Sequence, residues 1–235
     1  IYVRAQDAAG NWGATNSLVL RARGNNAVMI LQDSFDDGTF DAWTAAVGQV
    51  TITPDAALPA RNAGLGMAAT LGADPAYVSH AMPPGEISYQ ASFYFDPNGA
   101  SMGSTHHDIF AGLDHGTPIF GIQVEESDSA PGQYEIRGWV LSFGTPTYTG
   151  WYEISAGSKL GIEWRSSASA RFALLIDDVV VEEMNGLVTY SHRLYEVRLG
   201  PSSNLDATQS GVEYFDVFES RRTLFIYLPT AWFTQ

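Results

Sequence analysis

Trp139, Tyr148, Trp151 and Tyr152 crowd one stretch of the chain, and Arg137 alternates onto the same strand face as Trp139. Sugars stack their C–H faces on aromatic rings while Arg, Asn, Asp or Gln bond their hydroxyls, so these five residues make a candidate carbohydrate platform. The same rings also fit a core role, Trp139 and Trp151 above all, as does Trp164, which alternates with Leu160 and Ile162. A second group is acidic. Asp33, Asp36 and Asp37 could offer several oxygens to a hard cation such as calcium, or could accept backbone N–H groups in a solvated turn. EF-hand spacing and repeated calcium loops are both absent. A third group is Thr105-His106-His107-Asp108 with Asp114-His115-Gly116, whose imidazoles and carboxylates suit a transition metal or acid–base work. Adjacent strand residues point to opposite faces, however, which separates His106 from His107, and a turn after Leu113 would carry His115 away from both. Turn or surface histidines with local partners are expected.

Glycoside hydrolysis needs two carboxyl groups roughly 5 to 9.5 Å apart. The carboxylate pairs Glu125-Glu126, Asp177-Asp178 and Glu182-Glu183 are strand neighbours that diverge, and no Glu-x-Asp-x-x-Glu run occurs. The chain also lacks a Gly-x-Ser-x-Gly elbow and a phosphate loop. These features lead to the expectation that the protein is not an enzyme.

The elements that must position these groups are strands. In Ser88-Tyr89-Gln90-Ala91-Ser92-Phe93-Tyr94-Phe95, Tyr89, Ala91, Phe93 and Phe95 share one face. Similar runs cover 119–125, 133–141, 160–165, 172–176, 179–182, 194–199 and 214–220, separated by Gly, Pro, Asn, Asp or Ser. Helical periodicity is interrupted in the Ala-rich stretch 56–70 by Pro59, Gly64 and Gly66, leaving room for short helical turns only. The pattern predicts an all-β, two-sheet antiparallel sandwich or a barrel. Residues 1–24 read as a separate hairpin, with strands at Ile1 to Gln6 and Ser17 to Ala22 around the Gly-rich turn Asp7 to Gly13.

Composition sets outer bounds. With 12 Lys and Arg against 26 Asp and Glu, the 235-residue chain carries a net charge of −14, which opposes binding to nucleic acid or an anionic membrane surface. No apolar run is long enough to insert in a membrane as a helix, and the absence of Cys excludes disulfides and thiolate metal sites. Ile1 follows neither a Met nor a signal peptide, so an internal or processed piece of a longer protein is expected.

From about residue 30 onward the chain resembles a concanavalin A-like (laminin G-like) jelly roll of secreted bacterial multidomain proteins. The likeness rests on Asp33-Ser34-Phe35-Asp36-Asp37-Gly38 with Trp43, on Ser88 to Pro97, on the Phe172 to Glu182 hairpin where Asp178 stands in place of a usual Gly, and on Tyr214 to Arg222. Residues 1–24 are similar to the final hairpin of an immunoglobulin-like or fibronectin type III-like module. The resemblance implies an organisation of hairpin 1–24, linker 25–32, jelly roll 33–223 and apolar tail 224–235. It also places the closing strand beside the opening one, which implies a structural calcium held by Asp33, Asp36 and Asp216. The expected function is a non-catalytic, extracellular bacterial surface module for glycan binding or adhesion. Two alternatives stand beside it: a subunit that assembles with copies of itself through N-terminal strand pairing, and a carbohydrate-active enzyme of the same fold.

Overall fold

Alternation between large apolar and polar residues, punctuated by tight turns, folds the chain into strands throughout, and a computed structural model shows how they pair. The structure describes residues 2–3, 16–17, 27–58, 64–103, 105–127, 130 and 132–223. In chain order the strands are β1 (Tyr2–Val3), β2 (Asn16–Ser17), β3 (Ala27–Asp33), β4 (Ala45–Val47), β5 (Val50–Thr53), β6 (Gly66–Leu71), β7 (Tyr77–Glu86), β8 (Ser88–Asp96), β9 (His107–Asp114), β10 (Thr117–Glu126), β11 (Tyr134–Ser142), β12 (Thr145–Tyr148), β13 (Tyr152–Ile154), β14 (Ser158–Arg165), β15 (Ala170–Ile176), β16 (Val179–Leu187), β17 (Leu194–Ser203) and β18 (Gly211–Thr223). Among the described residues the only helical element is a 3-10 turn at Pro54–Ala56.

β1 pairs antiparallel with β2, within the hairpin expected at 1–24. The rest of that hairpin and the tail 224–235 lie outside the described residues. The other strands form two antiparallel sheets. The front sheet runs β12-β11-β10-β9-β17-β7-β4 with β13 beside β11, and the back sheet runs β16-β15-β14-β8-β18-β6-β5 with β3 beside β18. The chain is therefore an antiparallel sandwich of jelly-roll type, as the sequence predicts.

Aromatic side chains from the two sheets meet between them. Phe93 of β8 lies 5.6 Å from Phe110 of β9, and Phe120 of β10 lies 5.1 Å from Trp164 of β14, ring centre to ring centre. Because side chains alternate, these inward residues decide the outward ones. With Phe120, Ile122 and Val124 buried in the core, Gly121, Gln123 and Glu125 face outward from β10. With Ile136 and Val140 inward, Glu135, Arg137 and Trp139 face outward from β11. The β15–β16 turn shows why Asp can replace Gly there: Asp177 and Asp178 both take positive φ, 50° and 64°, as the turn that suits a twisted two-residue hairpin requires.

Candidate functional site

The outer face of the front sheet carries two cross-strand rows that meet at β11. Gln123 stands opposite Arg137 on one side and Asp108 on the other, while Gly121 stands opposite Trp139 and Ala111, and Trp139 stands opposite Tyr148. Gly121 is what lets this face close up. A Cβ there would come within 2.5 Å of the Phe110 carbonyl oxygen and 2.6 Å of Trp139 Nε1, so only a residue without a side chain lets the indole lie across β10. The indole N–H then donates to Asp108 Oδ1 at 2.9 Å.

Arg137 sits at the centre of the site. Its guanidinium carbon lies 4.2 Å from the Tyr148 ring centre and 4.4 Å from the Trp151 ring centre, each in cation–π contact. Nε donates to Gln123 Oε1 at 2.8 Å and Nη2 donates to His106 Nε2 at 3.2 Å. Arginine has no acceptor, so His106 Nε2 must be unprotonated in this pair, which fixes a neutral imidazole with its proton on Nδ1. Burial, and then the adjacent Arg137 charge, hold His106 below the usual imidazole range. Behind them Asp108 is buried, and burial pushes its carboxyl up against the opposing effect of hydrogen bonds from Ser203, Gln123 and Trp139. Gln123 thus bridges an inner carboxylate and an outer cation. The hydrogen-bond partners Gln123 and His106 are neutral, and burial draws the guanidinium's pKa down against the opposing effect of the Glu125 and Asp108 carboxylates.

Trp151 reaches this position because its loop is tied at both ends. Thr149 donates its backbone N–H to the Gly138 carbonyl and accepts the Gly138 N–H on Oγ1, both at 2.9 Å. Glu182 Oε2 accepts the Gly150 N–H and the Tyr152 hydroxyl, both at 2.8 Å. The edge of the His106 ring meets Trp151 at 5.9 Å.

Of the sequence-derived platform, Arg137, Tyr148 and Trp151 are brought together around one cation. Trp139 is only 7% exposed, so it is floor and not an exposed stacking surface, because Gly121 lets it lie flat. Tyr152 is bound to Glu182 and supports the loop from behind. Gln123 was not expected, although the inward Ile122 and Val124 signal that it points outward, and Asp108, named in the sequence with the histidines, was not expected beside Trp139. The histidines separate. His106 joins the site, whereas His107 is fully buried with Nε2 3.0 Å from Glu213 of the back sheet, and His115 stacks on Tyr195 at 3.9 Å.

The acidic set has other occupations. Asp33 accepts the Phe35 N–H and the Trp43 indole N–H, both at 2.7 Å, and burial pushes its carboxyl up. Asp36 accepts the Leu65 N–H at 3.1 Å and the Ser34 hydroxyl at 2.9 Å. Asp216 accepts the Leu58 and Val217 N–H groups at 3.0 and 2.7 Å. That last bond steadies a bulge where Val217, a β-branched residue, takes φ of 47°. β3 does pair with β18, with Asp33 opposite Phe218. Among the described residues no group of three or more His, Asp or Glu is arranged to hold a metal ion.

No family model and no curated protein matches the chain. Solved structures do. An endo-β-1,4-glucuronan lyase from the fungus Trichoderma reesei is 14% identical over 80% of this chain and 94% of that one, with a TM-score of 0.55. An alginate lyase is 11% identical over 83% of this chain and 98% of that one, with a TM-score of 0.58. The CBM2 module of the evolved Dit of Lactobacillus casei BL23 phage J-1 is 10% identical over 86% and 98%, with a TM-score of 0.52. These likenesses are of fold. They nonetheless correct the expectation of a non-enzyme, since the sandwich this chain adopts is also the scaffold of polysaccharide lyases. The reasoning failed at an identifiable step: the missing carboxylate pair bears on two-carboxylate hydrolysis, and elimination chemistry needs no such pair.

Proposed function

We propose that the front face binds an acidic polysaccharide at Arg137 and cleaves it by β-elimination. The observation that carries this reading is a cation that donates to neutral Gln123 and neutral His106 and is flanked by Tyr148 and Trp151, a place where a guanidinium and aromatic rings together suit a ligand's carboxylate and sugar ring. Sugar rings and aromatic side chains complement one another at the same place, and the lyase and carbohydrate-binding neighbours support a glycan as the ligand class.

A uronate's carboxylate paired with Arg137 makes the proton on its neighbouring C5 more acidic, because the developing enolate charge falls on oxygens already held by a cation. The same carboxylate competes for the Nη2 proton that His106 Nε2 accepts, and so frees that lone pair to take the C5 proton. The C5–H electron pair becomes the C4–C5 double bond, the bond from C4 to the glycosidic oxygen breaks, and the Tyr148 hydroxyl gives the departing oxygen its proton. No water is consumed. The His106 and Tyr148 protons then re-equilibrate with solvent.

The test is incubation with alginate, polygalacturonate and glucuronan, with a neutral glucan as control, following the ultraviolet absorbance of the new conjugated double bond. A steady rise with one or more uronates and none with the glucan is expected. Reducing ends that appear without that absorbance would replace elimination by hydrolysis, and binding without either signal would reduce the site to a lectin.

A further inference from the structure

Arg198 lies on the same face as Arg137 and repeats its design in a weaker form. A single cross-strand row runs from Tyr148 through Trp139, Gly121 and Ala111 to Arg198. Directly opposed residues share a face, and strands lie roughly 4.8 Å apart, so three steps put the backbone at Arg198 about 14 Å from that at Trp139. Between them the Trp139 indole lies over Gly121, and Ala111 is 2% exposed, so the stretch is a closed floor with an arginine towards each end. Both arginines are held in the same way, by an aromatic ring and an internal Nε bond. The Arg198 guanidinium carbon lies 4.8 Å from the Tyr77 ring centre, and its Nε donates to Glu196 Oε1 at 2.7 Å.

The partners differ in one respect that sets the hierarchy. Arg137 Nε donates to the neutral Gln123 amide, whereas Arg198 Nε donates to the Glu196 carboxylate, which offsets its charge directly. An acidic ligand should therefore be captured mainly at Arg137 and only steered at Arg198, through the guanidinium edge that Glu196 does not use. We infer that Arg198 forms a distal acidic-sugar subsite on the face that carries Arg137, so that the ligand is a uronate oligomer or polymer lying across the strands and not a single acidic sugar. This inference rests on the acidic-sugar reading of Arg137.

The two readings fail differently. Rates and binding isotherms are measured with a uronate polymer and with its dimer, which is too short to reach both arginines, on the wild-type chain and on Arg198→Gln and Glu196→Gln. Arg198→Gln should raise KM for the polymer about 5- to 10-fold, with kcat and the dimer's affinity unchanged. Glu196→Gln should do the opposite and lower the polymer's KM, because it removes the charge that offsets Arg198; a merely structural role for the pair predicts no such improvement. Polymer KM values that stay at the wild-type level in both variants, while Arg137→Gln abolishes binding, overturn the distal subsite and leave the Arg137 reading intact. Absence of uronate binding by the wild-type chain overturns both.

Discussion

The outer faces of the sandwich hold most of their cations in carboxylate pairs, Arg198 with Glu196 on the front among them, but the hydrogen-bond partners named for Arg137 are neutral. On the back sheet, Lys159 is bonded to Asp178 at 2.7 Å, Arg221 to Glu219 at 3.2 Å, and Arg171 to both Glu163 and Glu183. On the front sheet, the partners of Arg137 are an amide, a neutral imidazole and two aromatic rings. Exposed ion pairs contribute about 0 to 1 kcal/mol each, and a back face built from them needs no ligand. A half-buried cation whose hydrogen bonds go to neutral groups is less stable than one bonded to a carboxylate, and retaining that arrangement makes sense where a ligand supplies such a bond.

Exchanging the roles of the two faces should break the comparison. Arg137→Gln is expected to lower the elimination rate about 10²- to 10³-fold, the scale for losing one charge-stabilising donor, while the melting temperature changes little, since the hydrogen bonds lost go to neutral Gln123 and His106; initial rates and a thermal melt check both halves. Gly121→Val attacks the floor. Its methyl groups would drive into the Phe110 carbonyl and the Trp139 indole, and urea titration should show a loss of about 1 to 3 kcal/mol together with reduced activity.

The state of His106 supplies a pH test. Its folded pKa lies below the usual value, so the neutral, proton-accepting form persists into more acidic solution, and the acid limb of kcat/KM should fall below the ordinary imidazole value of about 6.5. Arg137→Gln removes the smaller of the two main causes, so the residual activity of that variant should have its limb moved partway back up. The sign for stability follows from the same shift. The unfolded chain takes up the His106 proton first, so this residue's contribution is present at neutral pH and declines as pH falls through about 6.5. Long-range charge gives a further expectation: a net charge of −14 repels a polyanion, so raising ionic strength from about 0.01 M towards 0.15 M should increase kcat/KM for a uronate polymer. The smallest effects belong to the back face, where Arg221→Gln should change stability by less than about 1 kcal/mol and activity not at all.

Much of the scaffold was legible because its signal is local. The period-two run of β8 and the Asp-Asp turn before β16 each specify their structure from adjacent residues, and so does the alternation that puts Arg137 and Trp139 on one face. The site itself depends on register between distant strands. Arg137 meets Gln123 only because β10 and β11 pair with Gly121 opposite Trp139, and His106 arrives from the segment preceding β9. Trp139 and Arg137 look equivalent in the sequence, yet one lies flat over a glycine and the other stands between two rings. Asp33, Asp36 and Asp216, the carboxylates expected to hold calcium, accept backbone N–H groups of turns and a bulge, partners that clustering in the sequence does not reveal. The non-enzyme expectation went wrong for a different reason, since it tested the sequence for hydrolytic pairs and not for a cation able to hold a carboxylate.

The central claim is that Arg137 receives a ligand's carboxylate, and nitrogen-15 NMR of the arginine Nε–H groups tests it most directly. With resonances assigned by Arg137→Gln, Arg198→Gln and Arg221→Gln, a uronate oligomer is titrated into the labelled chain. The account predicts a saturable shift of the Arg137 signal, a smaller shift at Arg198 and an unmoved Arg221. Shifts confined to the back-face arginines, or none at Arg137 at saturating oligomer, would contradict it.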